Sequence, residues 1–454
     1  MMLARSRNLI DLASLFASKT GGLFVALLLL PLIAGVLGPA RFGIVTVIIA
    51  VQTFFTIADF GASAYLTREM AVPGKRTATL LRAWHGLEKL LLAGTAGLSL
   101  AAALVAYLGF QETGQVMLIL GTGVLVALTV LQNLAYSCLV ARKNYLSSSA
   151  VQSVFVLLRA GLSLLGLHYL SSTVETFVLI QSLVLAMHLA ASRLMLRQSL
   201  QRGSSPPEGA PTAEPTSLRA LFLAIRPLAL AGIAGAAVTQ IDKPLIAALV
   251  SPEAVSYYFL AYSLCSTPAG ILAGPIAQFF QPRIVALLSH ANEADQVKGI
   301  RNFSLALAGA VVVPALAMWL FRRPLVDLWL PSGHDNRLIA EYAAILLPAF
   351  TLGALGYVPV ILLISAGEYH FHARTALLQA ILTLVLLLIA SSLGRIDLVC
   401  WVYAMHFLLS YLLYLARALM LPTTRRMAQA ALHTQLWTTT PLIGLGWILS
   451  QVLG

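Results

Sequence analysis

The residues V-L-G-P-A-R-F-G (36–43) and L-V-S-P-E-A-V-S (249–256) follow a similar pattern and lie 213 positions apart. Each stretch joins one long apolar segment to the next. A second similarity relates L-V-A-R-K-N-Y (139–145) to L-I-S-A-G-E-Y (363–369), in the same order along the chain. Repeated halves in an apolar chain are typical of transporters, in which a substrate binds between two lobes near the bilayer midplane.

The composition predicts an all-α polytopic membrane protein. Hydrophobic residues make up 59% of the 454 and charged residues only 10%, with a mean hydropathy of +0.87, whereas soluble domains carry about 25% charged residues. The net charge of +12 does not indicate a nucleic-acid partner, because the basic residues lie between apolar spans rather than on one face. No nucleotide-binding, metal-binding or hydrolase motif is present, so we expect neither a cofactor nor a metal, and no enzyme activity.

Stretches of about 20 apolar residues predict about twelve transmembrane helices. Their approximate limits are 9–36, 42–66, 86–109, 115–140, 147–168, 173–195, 220–249, 254–280, 302–330, 338–365, 373–393 and 397–418. A shorter apolar tail at 436–453 is either a thirteenth span or an interfacial helix.

The positive charges predict the orientation, because lysine and arginine accumulate in cytoplasmic loops. With the N-terminus inside, 19 of the 29 basic residues fall on the inner side, five on the outer side and five within spans. A missed span would invert half of the loops and destroy this bias. We therefore expect a cytoplasmic N-terminus.

The segment R-Q-S-L-Q-R-G-S-S-P-P-E-G-A-P-T-A-E-P-T-S (197–217) divides the chain. Proline, serine and glycine are typical of a flexible linker. Six spans on each side predict two lobes that form a parallel repeat, related by an axis along the membrane normal. The predicted organisation is an N-lobe (1–196), a cytoplasmic linker (197–218), a C-lobe (219–420) and a C-terminal basic segment with a short apolar helix (421–454).

Two further stretches carry a family resemblance. They are A-D-F-G-A-S-A-Y-L-T-R-E-M-A (58–71) and F-F-Q-P-R-I-V-A-L-L-S (279–289). With V-L-G-P-A-R-F-G and T-Q-I-D-K-P-L-I (239–246), they resemble the Wzx-type polysaccharide exporters of the multidrug/oligosaccharidyl-lipid/polysaccharide (MOP) superfamily, over about residues 8–418. The resemblance implies a flippase that moves undecaprenyl-diphosphate-linked oligosaccharide to the outer leaflet of the bacterial cytoplasmic membrane, by alternating access of two lobes. It implies as partners the lipid-linked oligosaccharide, membrane lipids, a polysaccharide polymerase and a chain-length regulator.

A lipid-linked sugar has an anionic headgroup, so a flippase needs a hydrated and preferably cationic cavity. Ionisable residues at membrane depth are costly and indicate function by default. Four in-span cations are therefore candidate substrate contacts: Lys19, Arg159, Arg226 and Lys243. Each has an alternative interpretation: Lys19 can snorkel to the inner surface, Arg159 can form a structural ion pair, and Arg226 can lie only two turns inside the membrane.

A second set of residues is assigned to gating or to the interface between lobes: Asp59, Arg68, Asp242 and Arg283. Asp59 and Arg68 are better explained by helix-end packing and gating than by substrate binding. Asp242 and Lys243 are adjacent, so on one helix they would point about 100° apart and would pair poorly with each other. An interlobe gate and a structural cross-helix pair both remain open.

Two other transporter classes of the same superfamily remain as alternatives. A cation-coupled multidrug antiporter should carry a buried carboxylate in its N-lobe, whereas the in-span charges here are mostly positive. A lipid II flippase should have fourteen spans rather than twelve or thirteen. A glycan polymerase or ligase should carry a large outer loop, which this chain lacks.

Overall fold

The computed structural model describes residues 25–59, 62–63, 65–66, 77–110, 113–141, 145–202, 232–290, 292–330 and 335–453. Within these ranges the chain is helical and contains no strand. The helices are α1 (Leu30–Ala58), α2 (Thr77–Phe110), α3 (Thr113–Ala141), α4 (Tyr145–Tyr169), α5 (Val174–Arg202), α6 (Asp242–Leu249), α7 (Pro252–His290), α8 (Glu293–Leu307), α9 (Val313–Leu320), α10 (Arg322–Trp329), α11 (Asn336–Leu355), α12 (Tyr357–Ser365), α13 (Tyr369–Ser392), α14 (Ile396–Met420) and α15 (Arg425–Leu453). Two π-helical segments, Val25–Leu29 and Ala308–Val312, precede α1 and α9, and residues 232–240 form a further helical segment.

The predicted fold class is confirmed: the chain is an all-α polytopic membrane protein. Ten helical stretches of the described residues are long and apolar enough to cross a bilayer. Several limits differ from the sequence prediction, and the ninth span, for example, begins at Glu293 and not at 302. The Asn292 side chain accepts a hydrogen bond from the backbone N–H of Asp295 at 2.9 Å, so this N-cap starts the helix ahead of the apolar run.

The two similar stretches at 36–43 and 249–256 have related local structures. At Gly38 the backbone leaves the helical region with φ 73° and ψ 166°, so that 30–37 and 39–58 are separate helical segments. In the second stretch α6 ends at Leu249 and α7 begins at Pro252, and the Ser251 hydroxyl accepts the N–H of Ala254 at 3.1 Å. In both stretches a proline begins the next helix, where its missing N–H costs nothing.

The chain folds as two compact units. One comprises Val36–Pro244, and the other comprises Leu245–Gly454 together with the segment that ends at Gly35. In the first unit, Trp84 is fully buried among apolar residues of α2, α3 and α5. In the second, Phe303 occupies a core built from α7, α8, α11, α12, α14 and α15. The domain division predicted at the 197–218 linker stays a prediction, since residues 203–231 lie outside the described ranges.

The C-terminal helix α15 is longer than the apolar tail predicted at 436–453. Its 29 residues extend about 43 Å, which exceeds the ~30 Å hydrocarbon core of a bilayer. Arg426 at its start forms an ion pair with Glu293 at the start of α8, and Met427 and Ala431 join the core that contains Phe303. Further along, α15 also packs on α9. The helix therefore runs parallel to the Glu293–Leu320 span.

Candidate substrate-binding site

Three of the predicted site residues lie outside the part of the chain that the structure describes: Lys19, Arg68 and Arg226. Their roles stay predictions. The other five, Arg159, Lys243, Asp59, Asp242 and Arg283, have described positions.

Arg159 lies in the middle of α4. It is 12 residues after Ser147 and ten residues before Tyr169, the two ends of this candidate span, so about 15 Å of helix separates it from the nearer end. Its side chain is half-buried. Among the residues that the structure describes, no carboxylate pairs with its guanidinium. The sequence left two interpretations of Arg159 open, a substrate contact and a structural ion pair. The described residues provide no carboxylate for the ion pair.

The surroundings of Arg159 contain a polar group that the sequence analysis missed. His188 of α5 is 4% exposed, and its ring stacks on that of Phe155, one turn before Arg159, with centroids 4.6 Å apart. A histidine in the middle of an apolar span is the sequence signal that points to His188.

Helix α3 completes this cluster. The Gln132 side-chain nitrogen lies 2.8 Å from His188 Nε2 and donates to the Ser192 hydroxyl at 3.1 Å. Two turns before His188 on α5, Gln181 donates to the hydroxyl of Ser163 on α4 at 2.9 Å. Buried polar side chains in a membrane are usually satisfied by neighbouring helices in this way. Helices α3, α4 and α5 thus enclose a polar region at membrane depth, next to a cation.

Glu88 of α2 is paired. Its carboxylate accepts hydrogen bonds from Arg193 Nε at 3.1 Å and from the Arg193 NH2 group at 2.8 Å. The Glu88 side chain is only 10% exposed, so the guanidinium neutralises a largely buried charge. This acid is therefore committed to a structural contact within the Val36–Pro244 unit.

Asp242 and Lys243 form a fully buried ion pair, with Lys243 Nζ 2.9 Å from Asp242 Oδ1 and side chains 1% and 0% exposed. The expectation that the two would pair poorly is wrong. Both residues lie in the first turn of α6, about 100° apart around its axis, and the flexible four-carbon side chain of Lys243 reaches across this angle. Lys243 Nζ also donates to the Thr239 carbonyl at 2.7 Å. Its role as a substrate contact stays a prediction, since this conformation encloses the ammonium group.

The other two described site residues contact their own chain segments. Asp59 follows α1, and its carboxylate accepts the backbone N–H of Ser63 at 3.1 Å, as expected of a helix-end residue. Arg283 of α7 folds back on its own helix: it donates to the Phe279 carbonyl, and its guanidinium lies 3.5 Å from the centre of the Phe279 ring. Gating roles for both residues stay predictions.

Three of the five arginines predicted on the outer side have partners within the chain. Arg41 donates to the Ser172 carbonyl at 2.7 Å. Arg337 pairs with Glu341 at 3.1 Å, in an exposed i,i+4 contact. Arg395 donates to both carboxylate oxygens of Asp397 at 2.8 and 2.5 Å, and this hydrogen bonding raises the pKa of Arg395. These three charges are accounted for by contacts within the chain.

Comparison with known proteins places the chain in a family. Residues 10–288, more than half of the sequence, match the family described as polysaccharide biosynthesis protein, and the chain belongs to that family. No curated protein sequence matches. The resemblance to Wzx-type exporters of the MOP superfamily is thereby confirmed.

Solved structures show the same fold at low sequence identity. The lipid II flippase MurJ in an inward closed conformation matches with a TM-score of 0.67 and 11% identity, covering 98% of this chain and 97% of that one. A MOP superfamily transporter from Pyrococcus furiosus matches with a TM-score of 0.55, 12% identity and 96% coverage of both chains. The Vibrio cholerae MATE transporter VcmN in its bent form matches with a TM-score of 0.52 and 14% identity, covering 95% of this chain and 98% of that one. The chain therefore has the fold of MOP transporters and flippases.

Proposed function

We propose that this protein flips an undecaprenyl-diphosphate-linked oligosaccharide across the bacterial cytoplasmic membrane, with its N-terminus in the cytoplasm, for the synthesis of a cell-surface polysaccharide. The observation that carries the proposal is Arg159, a cation at membrane depth without a carboxylate partner among the described residues. The diphosphate of such a lipid would supply the missing negative charge.

The charges of the described Val36–Pro244 unit support an anionic substrate over a cationic drug. Its two largely buried carboxylates, Glu88 and Asp242, are each paired with a cation. Glu175 is exposed at the first turn of α5, and Asp59 serves a helix end. A drug antiporter needs an acid that is available for a proton, a sodium ion or a cationic drug, and these four have other contacts or positions.

The resemblance to MurJ does not by itself extend to its substrate, since 11% identity supports the fold alone. Lipid II and a lipid-linked oligosaccharide share the same polyprenyl diphosphate, and Arg159 would serve either one. The family, described as polysaccharide biosynthesis protein, favours the oligosaccharide. A transport assay should therefore offer both lipids.

The deciding experiment measures flipping of a fluorescent undecaprenyl-diphosphate oligosaccharide in proteoliposomes. Wild type should flip it, and Arg159→Ala should lose at least tenfold, because a hydrogen-bonded contact to a charged group contributes about 1.5–3 kcal/mol. Arg159→Lys should retain part of the activity, and Lys19→Ala should also lose activity.

Arg197→Ala is the matched control. Arg197 is exposed and lies on α5 beyond the polar cluster, so this variant should flip lipid like wild type. Extrusion of cationic dyes by wild type without lipid flipping would instead support a drug antiporter, and flipping of lipid II alone would assign the protein to that substrate.

A further inference from the structure

The Val36–Pro244 unit carries an open apolar groove of about 420 Å³ between α4 and α5. Its walls include Leu162, Gly166 and Tyr169 from α4 and Ile180, Leu183 and Met187 from α5. Tyr169 is the only lining residue with a polar side-chain group. The volume falls within the range of ligand-binding pockets, about 300–1,000 Å³.

The groove depends on the close approach of the two helices at Gly166. A Cβ atom at this position would lie 1.9 Å from Ile180 Cδ1, so the absence of a side chain at Gly166 lets the end of the Ile180 side chain lie directly against the α4 backbone. Beside this contact, Leu183 and Met187 are 58% and 50% exposed, and form the open wall. The crevice is thus built by the packing of α4 on α5.

Arg159 lies about one helical turn beyond Leu162, the residue of the α4 wall that is farthest from Tyr169. On α4 it precedes Leu162 by three residues and Gly166 by seven, a spacing that places all three along the same side of a helix. On α5, Val184 of the groove lies one turn before His188, on the same side of the helix, and the His188 ring stacks on Phe155. The groove therefore leads from the α4–α5 connection to the polar region that contains Arg159.

The depth of Arg159 in the membrane indicates which kind of lipid could contact it. Tyr169 ends the candidate span, and Arg159 lies about 15 Å further in along the helix, half of a ~30 Å hydrocarbon core. The phosphate of a resting phospholipid lies at the membrane surface and not at this depth. Only a lipid whose headgroup is carried across the membrane would bring an anion to Arg159 while its chain lies in the groove.

We infer that the α4–α5 groove holds the isoprenoid chain of the lipid-linked substrate while its diphosphate contacts Arg159. This inference rests on the proposed function and adds a binding site for the chain. A lipid tail gains no hydrophobic energy by leaving other lipid tails. Affinity therefore comes from the Arg159 contact, and the groove selects the chain by shape and directs it along α4 and α5.

The test is native mass spectrometry of the full-length protein in detergent, with undecaprenyl phosphate and an equal amount of phosphatidylglycerol. Wild type should retain the polyprenyl lipid at least fivefold over the phospholipid. Leu183→Trp, which fills the groove, should lower this retention at least fivefold, and Arg159→Ala should do the same. Leu179→Trp is the matched control: Leu179 is 60% exposed on α5 outside the groove, and this variant should stay within twofold of wild type.

Equal retention of both lipids by wild type, or unchanged retention in Leu183→Trp, would overturn the inference and identify the groove as an ordinary lipid contact. Flipping measured on the same preparations separates this result from failure of the proposed function. If wild type flips the lipid-linked oligosaccharide but Leu183→Trp retains undecaprenyl phosphate like wild type, only the proposed role of the groove is rejected. If wild type neither binds undecaprenyl phosphate nor flips the oligosaccharide, the groove and the proposed function are both rejected.

Discussion

The rings of Phe155 and His188 lie face to face, with their centroids 4.6 Å apart and their planes inclined by 5°. This stack joins α4 to α5 one turn from Arg159, and Gln132 holds the histidine from α3 at 2.8 Å. Arg159 is therefore carried by a helix that is packed tightly at this depth. A rigid position of its backbone reduces the ordering cost of meeting an anion.

We expect Arg159→Leu to separate stability from function. An arginine at the centre of a membrane helix costs about 2.5–3.5 kcal/mol on insertion scales, and no described carboxylate offsets that cost. The variant should gain about 1–3 kcal/mol in unfolding free energy, measured by thermal unfolding in detergent, while lipid flipping falls at least tenfold. Arg197→Leu, at an exposed position, should change neither. Destabilisation of Arg159→Leu would show that the arginine has a structural partner instead.

The sequence predicts Arg159 well and its surroundings poorly. A single arginine within V-F-V-L-L-R-A-G-L (154–162) is visible as a charge among apolar residues. Its neighbours depend on which faces of α3, α4 and α5 pack together, and the contact between Gln132 and His188 joins residues 56 positions apart. Hydropathy finds spans because each span has to satisfy its backbone internally, but it does not reveal which helices are neighbours.

The same distinction explains the error at Asp242. The helical angle describes the directions of two adjacent Cα–Cβ bonds, and it does not account for the reach of the flexible four-carbon side chain of Lys243. The length of a lysine side chain is known from the sequence, so this contact could have been anticipated. The complete burial of both charges could not, because it depends on tertiary packing.

We expect Asp242→Asn to destabilise the protein severely. Removal of one partner leaves the Lys243 ammonium buried without its counter-charge, which costs about 3–5 kcal/mol. The double variant Asp242→Leu/Lys243→Met should recover most of this stability, because a buried ion pair can often be replaced by apolar residues of similar volume. Thermal unfolding in detergent measures both variants.

The control for this pair is the exposed contact between Arg337 and Glu341, with side chains 81% and 53% exposed. Arg337→Ala should cost less than about 1 kcal/mol, as exposed pairs usually do. A double variant at Asp242 and Lys243 that is no more stable than Asp242→Asn would indicate that the pair specifies local structure that apolar packing does not replace.

Gly38 should be sensitive to the smallest possible side chain. Its φ of 73° and ψ of 166° lie in a region that is essentially restricted to glycine, at a cost of about 1–3 kcal/mol for other residues. No atom lies within 4 Å of a Cβ built there, so any loss of stability in Gly38→Ala comes from backbone strain and not from a steric clash. We expect a correspondingly lower unfolding free energy.

Gly94→Ala is the appropriate comparison, because Gly94 also has no atom within 4 Å of a built Cβ but lies inside α2. There alanine should raise stability by about 0.5–1 kcal/mol. If both substitutions had the same effect, the turn at Gly38 would not require glycine.

We expect α15 to end on the outer side of the membrane. The helix begins at the Arg426–Glu293 ion pair and packs along α8 and then α9, so it follows the Glu293–Leu320 span through the bilayer. With the basic start of α15 on the cytoplasmic side, a reporter fused after Leu453 should report an outer location. Fusions within residues 203–218 or after Thr424 should report the cytoplasm. A cytoplasmic signal after Leu453 would mean that the second half of α15 turns along the membrane surface, because a straight helix of about 43 Å cannot start and end on the same side while packed along a span.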